Sequence, residues 1–454
     1  MPVSAIILAA GRAERFGGDK LSLKIGGASM LARALRTARA AGFDEIIVVA
    51  GGAEAARGLG PEAAGVKFAV NAGGGGGQGS SVRLGAASAD PANHLMFLLA
   101  DQPFIKAETV SRMLEESRAA RDAVVMAEHG GVLTAPALFP PSFRERLLKI
   151  GDGRGAKAAL GGGDNVITVR LTELEAADID TPAAYVSAIC REKRGLVIVR
   201  GAGDLATGVI QALVLAGFAV IALETARPTA IRRTVSLCEA VYDGRAEVEG
   251  ITARLARDTA DIGEILQNGE VPVLIDPAGE YIGRLKPDAV VDAIIAKRNT
   301  GTRRGMAPAT VALGPGFEAG VDADAVIETM RGHSLGRIIL EGRALPNTGV
   351  PGEIGGAGAE RVVKSPAGGV FREAARIGQT VKRGEIIAYV GDTPVSAPID
   401  GVLRGLLRGG TATTPGFKLA DIDPRCRPEN CYTISDKARC VGCASVVALM
   451  YLTR

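Results

Sequence analysis

The chain has 454 residues, of which 47% are hydrophobic and 23% charged, and its formal net charge is +3. This length is sufficient for two or three domains, each with a core of its own. The nearly balanced charge, without a basic block interleaved with aromatic residues, argues against nucleic acid as a partner. The amino terminus does not show the pattern of a secretory signal, so we expect a cytoplasmic protein.

One apolar segment requires a check for membrane insertion. Residues 205–223 contain no charged side chain over 19 positions, which is close to the length of a membrane span. Gly208 and Gly217 divide this segment, and its position fits the helix and strand of a βαβ unit. We therefore expect no association with a membrane.

The first functional motif follows an apolar run, residues 5–8, that predicts a buried strand. Gly11 can adopt backbone angles that other residues avoid and allows backbone N–H groups to approach a ligand. Arg12, Arg15 and Lys20 place three cations around the same loop. The loop suits a nucleoside triphosphate, although a tight turn with solvated charges explains a lone glycine loop equally well.

Two later segments favour the nucleotide interpretation. The apolar residues 98–100 end in Asp101, the position from which an α/β sheet can hold a metal bound to phosphate. Residues 71–85 are rich in glycine and contain Gln78-Gly79-Ser80-Ser81, whose donors suit a base or a ribose.

Together, LAAGxxxRFGxxK and LLADQP resemble the MobA-like nucleotidyltransferases, and most closely the molybdenum cofactor cytidylyltransferases. The resemblance extends from Val3 to Tyr185 and includes GDGRGAK at residues 151–157 and DIDTP at residues 178–182. It implies CTP and molybdopterin cofactor as substrates, catalysis by Arg15, Lys20 and Asp101, and Mg²⁺ carried by Asp101. The nucleotide-binding residues that it implies are Leu8, Ala9, Ala10, Gly11, Arg12, Gln78, Gly79 and Ser80.

Alternating apolar runs and amphipathic segments predict an α/β fold with a mostly parallel sheet up to residue 193. We interpret this part as a Rossmann-like nucleotidyltransferase domain, residues 1–193. The charged residues 191–194 then precede a new apolar strand, residues 196–199, so we place a domain boundary there.

The new strand leads into Gly201, Gly203 and Asp204, and Glu224 follows about 20 positions later. This spacing matches the G-x-G-x-x-A form of the dinucleotide fingerprint, in which the acidic residue meets a ribose hydroxyl. It predicts a central α/β Rossmann-like domain, residues 194–360, with NAD(P) as a possible ligand. The alternative is that the glycines only make the turn that packs a helix on a strand.

From residue 361 to residue 454 the chain changes to short strands with Gly and Pro turns. SPAGGVF at residues 365–371 is repeated as SAPIDGVL at residues 396–403. This pattern resembles the two half-motifs of biotinyl/lipoyl-type domains and predicts a small β-barrel. The turn between the halves is GDTP at residues 391–394, so we expect no swinging lysine arm.

Four cysteines lie close together in the tail, with the spacing C-x4-C-x8-C-x2-C. They fit a zinc or iron–sulfur site, or chemistry on a soft atom such as sulfur or selenium. The alternative is four unlinked thiols. The residues are Cys426, Cys431, Cys440 and Cys443.

The second half of the chain contains RGAGDLATG, PTAIRR, LGPGFEAGVDADAVIETMRGH, NTGVPG, DIDPR and ISDKAR. From about Arg194 to the carboxyl terminus, these strings resemble the YqeB-type accessory proteins of selenium-dependent molybdenum hydroxylases. The resemblance implies a molybdenum hydroxylase apo-enzyme as a partner.

The combined hypothesis is a fused protein of molybdenum cofactor maturation. Its first domain would transfer cytidylate from CTP to molybdopterin cofactor with Mg²⁺, and the rest would finish or deliver the product. The resemblance implies CTP rather than GTP, because guanylyl-transferring relatives more often have Ala-Gly-Gly where this chain has Ala9-Ala10-Gly11. Two alternatives remain: an NAD(P)-linked oxidoreductase that uses the central domain, and a non-catalytic chaperone of the cofactor.

Overall fold

The computed structural model describes residues 1–10, 20–52, 59–72, 77–350 and 352–453. The chain divides into two compact units, Met1–Ala188 and Ile189–Arg454. The predicted domain boundaries at residues 193 and 360 stay predictions.

The first unit alternates strands and helices along the chain. Its described strands are β1 (Val3–Ala9), β2 (Lys24–Ile25), β3 (Ala28–Ser29), β4 (Glu45–Ala50), β5 (Lys67–Val70), β6 (His94–Leu99), β7 (Val124–His129), β8 (Val132–Phe139) and β9 (Val166–Arg170). Its described helices are α1 (Met30–Ala41), α2 (Gly77–Ser88), α3 (Ala107–Ala119), α4 (Arg144–Leu148) and α5 (Pro182–Arg191).

Seven of these strands form one mixed sheet in the order β5-β4-β1-β6-β8-β7-β9. β1 is paired in parallel with β4 on one side and with β6 on the other. Ala5 and Ile7 of β1 belong to one buried cluster, and Ile6 and Leu8 belong to another. Successive side chains of a strand point to opposite faces, so β1 is covered on both faces. The α/β class predicted for the N-terminal part is confirmed.

The ends of α1 show why the sequence folds locally as it does. The side chain of Ser29 accepts a hydrogen bond from the backbone N–H of Ala32, which satisfies one free donor of the first turn. At the other end, Gly42 adopts a φ of 75°, and its N–H donates to the carbonyl of Arg39. A left-handed glycine of this kind is a common helix terminator.

The second unit begins with a larger sheet and ends with a separate β module. Its described strands are β10 (Leu196–Arg200), β11 (Ala219–Glu224), β12 (Arg245–Val248), β13 (Ile251–Ala256), β14 (Val271–Ile275), β15 (Ala289–Asp292), β16 (Ala309–Leu313), β17 (Glu318–Ala319), β18 (Ala325–Ile327), β19 (Ile338–Ile339), β20 (Gly342–Arg343), β21 (Val362–Lys364), β22 (Gly369–Glu373), β23 (Thr380–Val381), β24 (Ile386–Val390), β25 (Thr393–Ser396), β26 (Gly401–Leu406), β27 (Ala412–Thr413) and β28 (Lys418–Asp423). Its described helices are α6 (Asp204–Leu215), α7 (Ala240–Asp243), α8 (Thr259–Gln267), α9 (Glu280–Leu285) and α10 (Asp436–Leu452).

The larger sheet has the order β12-β13-β14-β11-β10-β15-β16-β18-β19. Its inner pairings are parallel, whereas the outermost pairings, β12 with β13 and β18 with β19, are antiparallel. The helix α6 connects the central strands β10 and β11. This arrangement is an α/β sheet, and its assignment to the Rossmann type stays a prediction.

The C-terminal strands form two four-stranded sheets, β21-β28-β26-β23 and β25-β24-β22-β27. One apolar cluster, which includes Phe371, Ile387, Leu403 and Leu419, fills the module. The two sheets do not join into a closed barrel among the described strands. The predicted small barrel is therefore not confirmed, although the two repeated segments do belong to one module.

Helices α6 and α10 cross at close range. A Cβ atom on Gly208 would lie 2.6 Å from the carbonyl carbon of Ala438, and one on Gly442 would lie 2.8 Å from the carbonyl carbon of Gly208. Only glycine fits at these two positions, because no room remains for a side chain. None of the described helices combines the length and the hydrophobicity that crossing a membrane requires.

Candidate functional site

The candidate site of the first unit lies where β1 and β6 end. The N–H of Ala100 donates to the carbonyl of Leu8 at 3.1 Å, so the pairing of the two strands continues to the start of the following turn. Asp101 is the next residue along the chain. Parallel strands collect their carboxyl ends at one edge of a sheet, where α/β proteins place ligands.

Lys20 connects two carboxylates at this edge. Its Nζ donates to Oδ2 of Asp101 at 2.8 Å and to Oδ1 of Asp180 at 2.7 Å, although the two aspartates are far apart in sequence. Burial lowers the pKa of Lys20, but the hydrogen bonds and charges of both aspartates outweigh this effect, so its pKa is raised. Lys20 is therefore a protonated cation held between two acceptors.

The segment that carries Asp180 is fixed by contacts of its own. The N–H of Ile179 donates to the carbonyl of Asp101 at 3.1 Å, and the hydroxyl of Thr181 accepts from the N–H of Ala184 in the first turn of α5. The hydroxyl of Tyr185 donates to the carbonyl of Lys24 at 2.8 Å. These contacts place DIDTP beside Asp101.

A third carboxylate, Asp178, adds to the negative charge at this edge. Desolvation raises the pKa of Asp178, and the charges of Asp101 and Asp180 raise it further. Among the described residues, however, no group of three or more His, Cys, Asp or Glu side chains is arranged to hold a metal ion. At most two of the acidic side chains at this edge would therefore bind the same metal ion.

Asp101 and Asp180 fit a hard divalent cation by their chemistry. Their side chains keep 27% and 50% of their surface exposed, so oxygen atoms remain open toward a ligand. Mg²⁺ is usually bound by one or two carboxylates and takes its other ligands from water and substrate phosphates. Asp101 was predicted to carry the metal, and Asp180 is the second residue that would hold it.

The glycine-rich segment has a structural role that its sequence did not reveal. A Cβ atom on Gly79 would lie under 3.0 Å from the carbonyl oxygen of Gly151. The hydroxyl of Ser80 donates to the carbonyl of Gly77 and accepts from the amide of Asn71 at 2.8 Å. Gly79 and Ser80, predicted to bind nucleotide, are thus in contact with the protein itself.

This packing brings two sequence motifs together. A Cβ atom on Gly155 would lie 2.8 Å from the amide oxygen of Gln78, so the first turn of α2 lies against the loop of residues 151–155. The predicted nucleotide contact of Gln78 stays a prediction.

The remaining residues of the predicted nucleotide loop are placed in part. Leu8 and Ala9 are buried in β1, and Ala10 is half-buried at its end. Gly11, Arg12 and Arg15 lie outside the described residues.

In the second unit, the structure gathers Gly201, Gly203, Asp204 and Glu224 around the turn after β10. One carboxylate oxygen of Glu224 accepts from the N–H of Ala202 at 2.9 Å, and the other accepts from the N–H of Thr225. Both oxygens of Asp204 accept from Arg232 at 2.9 Å. The two carboxylates are thus used within the protein, and dinucleotide binding stays a prediction.

The four cysteines are not gathered into one site. Cys431 is buried and its thiol points to the carbonyl of Leu403 at 3.8 Å, whereas Cys440 contacts the carbonyl of Leu335 at 3.5 Å. Cys426 and Cys443 are exposed. Desolvation raises the pKa of the Cys431 thiol, which disfavours the thiolate that a metal would need. A metal site at these cysteines stays a prediction without support from the described geometry.

Sequence reasoning did not assign a role to Asp178 or Asp180. Their segment had been quoted only as part of a family resemblance, since two aspartates separated by one residue are a common surface pattern. A usable signal was the pairing of this acidic segment with a lone lysine in the first loop, because a buried lysine requires a carboxylate.

Comparison with known proteins finds one family model and two curated relatives similar to parts of the chain. Residues 5–166 match the family model of the MobA-like NTP transferase domain. The chain is 51% identical over 257 residues to the uncharacterized protein YqeB of Escherichia coli K12, which covers 57% of this chain and 48% of that protein. It is 32% identical over 120 residues to nicotine blue oxidoreductase of Paenarthrobacter nicotinovorans, which covers 26% of this chain and 59% of that enzyme.

The chain thus spans about half the length of the curated relatives it matches. Among solved structures, it is similar to Rv0371c of Mycobacterium tuberculosis, with 24% identity, a TM-score of 0.38, and coverage of 42% of this chain and 98% of that chain. It is also similar to molybdopterin-guanine dinucleotide biosynthesis protein A of Archaeoglobus fulgidus, with 17% identity, a TM-score of 0.34, and coverage of 42% and 100%.

Proposed function

We propose that the MobA-like NTP transferase domain in the N-terminal part of this chain transfers a nucleotidyl group from a nucleoside triphosphate to a phosphate-bearing acceptor. The observation that carries the proposal is the position of Lys20 between Asp101 and Asp180, at the carboxyl edge of β1 and β6. This arrangement combines a fixed cation with two carboxylates where an α/β sheet binds phosphates.

The finer proposal is that the nucleotide is CTP and the acceptor is molybdopterin cofactor. The family resemblance of the first domain and the Ala9-Ala10-Gly11 form of its loop support this choice. The second unit would finish the product or deliver it to a selenium-dependent molybdenum hydroxylase. That role rests on the sequence resemblance to YqeB-type proteins. The name of the Escherichia coli relative does not state an activity.

In the proposed reaction, a phosphate oxygen of the acceptor attacks the α-phosphorus of CTP. A new P–O bond forms, and the bond between the α-phosphorus and its bridging oxygen breaks to release pyrophosphate. Little covalent chemistry is required of the protein, so catalysis depends on positioning and on neutralising charge. Lys20 supplies a positive charge, and its hydrogen bonds to Asp101 and Asp180 fix the position of its ammonium group. A divalent cation held by these two aspartates would neutralise further charge on the phosphates.

The test is pyrophosphate release by the purified full-length chain with Mg²⁺ and molybdopterin cofactor, comparing CTP, GTP and ATP. We expect release with CTP and a loss of about 100-fold or more in the Asp101→Asn variant. The matched control is Asp122→Asn, which changes an exposed aspartate of the same unit and should keep wild-type turnover.

Two results would contradict the proposal. Wild-type turnover in Asp101→Asn would remove this site from the reaction. A folded wild-type chain that releases no pyrophosphate with any of the three nucleotides, but binds NAD(P) saturably, would favour the oxidoreductase alternative.

A further inference from the structure

A cavity of about 520 Å³ opens within the second unit. Residues from the start of α6, the loops after β15 and β18, the strands β26 and β28, and the start of α10 line it. Sites for small molecules commonly have volumes of about 300–1,000 Å³, a range that includes room for a nucleotide. All of its lining residues lie between residues 204 and 437, and none of them belongs to the candidate transferase site.

The lining carries an excess of positive charge. Seven arginine and lysine side chains face three carboxylates, which leaves a formal excess of four positive charges. A cavity lined by one sign of charge concentrates ions of the opposite sign. The three lining carboxylates would repel an anion most strongly if they faced the cavity without partners.

Two of the carboxylates are paired with arginines. Asp204 binds Arg232 through both oxygens at 2.9 Å. Asp421 is buried and accepts hydrogen bonds from Arg361 and Arg404. These contacts hold the arginine side chains in place, and the arginines neutralise the negative charge of both aspartates.

The third carboxylate is satisfied by backbone groups. Glu328 is buried and accepts from the N–H of Met330 at 2.6 Å and from the N–H of Leu345 at 2.7 Å. A further lining cation, Arg331, is paired with Asp436 outside the cavity lining. Every lining carboxylate therefore has partners of its own.

Three lining lysines remain without an ion pair in the part of the chain that the structure describes: Lys297, Lys418 and Lys437. Lys437 is half-buried in the first turn of α10, and Lys418 begins β28 with its surface open to the cavity. Desolvation is the largest effect on the pKa of both side chains and lowers it; nearby arginines lower it further, whereas the charges of nearby carboxylates raise it in part. Ammonium groups in such surroundings gain from a multiply charged anion.

Two helices add to the positive potential. The first residues of α6 and the N-cap region of α10 line the same cavity, and these helices are 12 and 17 residues long. Their close crossing at Gly208 and Gly442 keeps their N-terminal ends together. The N-terminus of a helix carries about half a positive charge and exposes free N–H groups.

We propose that this cavity binds a phosphorylated small molecule of nucleotide size that carries at least two negative charges. The unpaired lysines supply the charge, the paired arginines supply fixed donors, and the start of α6, which has no side-chain cap, supplies backbone N–H groups. This proposal goes beyond the nucleotidyl transfer and does not depend on it, because none of the cavity residues belongs to the transferase site.

The test is lysine footprinting on the full-length wild-type chain with inorganic pyrophosphate as the probe. An acylating reagent modifies lysines at mildly alkaline pH, and mass spectrometry measures the rate at each position. We expect Lys418 and Lys437 to be protected about tenfold when pyrophosphate is present at ten times its dissociation constant. Lys286 and Lys382, which are exposed and outside the lining, should not be protected. Because each lysine is read separately, binding of pyrophosphate at Lys20 does not interfere.

A second measurement uses variants and calorimetric titration of pyrophosphate. Lys437→Gln and Lys418→Gln should each weaken the cavity site by about tenfold, whereas the control variant Lys382→Gln, at an exposed lysine outside the lining, should bind like the wild type. Melting curves of each variant show whether it is folded, and the wild-type footprint stands even if one variant is not.

Three outcomes would overturn the proposal. The first is no protection of Lys418 and Lys437 at any pyrophosphate concentration. The second is equal protection of all exposed lysines, which would indicate screening rather than a site. The third is equal protection by citrate, which would indicate a polycarboxylate ligand instead of a phosphate ester.

Discussion

The close crossing of α6 and α10 gives a quantitative prediction for Gly208→Ala. The new Cβ would lie 2.6 Å from the carbonyl carbon and 2.8 Å from the Cβ of Ala438. Carbon atoms in contact prefer separations of about 3.5–4.0 Å, so the helices must move apart by roughly 1 Å or distort. Overpacking of this kind typically costs about 1–3 kcal/mol.

The assay is thermal unfolding of the full-length variant, followed by circular dichroism and calorimetry. For a unit of this size, 1 kcal/mol corresponds to about 2–4 °C in Tm, so we expect the second unit to melt about 2–12 °C earlier. The control is Gly283→Ala in α9, where a Cβ atom would meet nothing within 4 Å. That variant should be stabilised by up to about 1 kcal/mol, the helix-propensity gain of alanine.

A result that refutes this reasoning is a Gly208→Ala chain that melts with the wild type or above it, while Gly283→Ala shows the propensity gain. Such an outcome would mean that α6 and α10 do not approach each other at Gly208. The two helix ends would then have no fixed position beside the cavity.

Three further predictions concern single side chains. Asp421→Asn leaves buried Arg361 without a carboxylate and Arg404 with Asp423 alone, at 3.5 Å, and should lower the free energy of unfolding in urea by about 3–5 kcal/mol, whereas Asp400→Asn removes an exposed ion pair and should cost less than about 1 kcal/mol. Gly79→Ala forces a Cβ atom against a backbone carbonyl and should lower both the Tm of the first unit and nucleotide turnover. Arg331 lowers the pKa of Asp436 below its ordinary value of 3.8, so this pair stabilises the fold above that pH and loses its effect as the pH falls toward the folded-state pKa. The difference in Tm between the wild type and Asp436→Asn should therefore shrink as the pH is lowered below about 3.8.

Local patterns were sufficient to predict several elements with their bounds. Residues 30–41 and 107–119 are amphipathic at helical spacing and so predict two helices, since an apolar stripe of this kind must be buried. These segments coincide with α1 and α3. The apolar run before Asp101 is the central strand β6, next to β1. In these cases the hydrophobic pattern and the tertiary packing agree.

Other elements depended on contacts that periodicity does not show. The apolar residues 444–451 predict a last helix that starts at residue 444, but α10 begins at Asp436, because Ser435 caps it by accepting from the N–H of Ala438. The apolar run of residues 289–296 predicts a strand of that length, but β15 ends at Asp292, where the carboxylate accepts from the N–H of Ile294. Polar side chains that bind nearby backbone decided both boundaries.

The candidate site shows the same limit more clearly. Lys20 and Asp101 were each predicted to act on the nucleotide, but their ion pair and the partnership with Asp180 are long-range contacts. The charged cavity of the second unit is similar, since its lysines come from three distant segments. A single sequence gives the residue types for such sites, whereas their assembly depends on the order of strands in the sheet.

The most direct test of the account is transfer of label from CTP carrying a radioactive α-phosphorus to molybdopterin cofactor, measured with the wild type and with Asp180→Asn. We predict a labelled product from the wild-type chain and a rate lower by about 100-fold or more in the variant, because Asp180 holds Lys20 at the edge where we propose that the phosphates bind. Unlabelled acceptor with a folded wild-type chain, or equal rates in the two proteins, would contradict the central claim that the edge formed by Lys20, Asp101 and Asp180 transfers a nucleotidyl group.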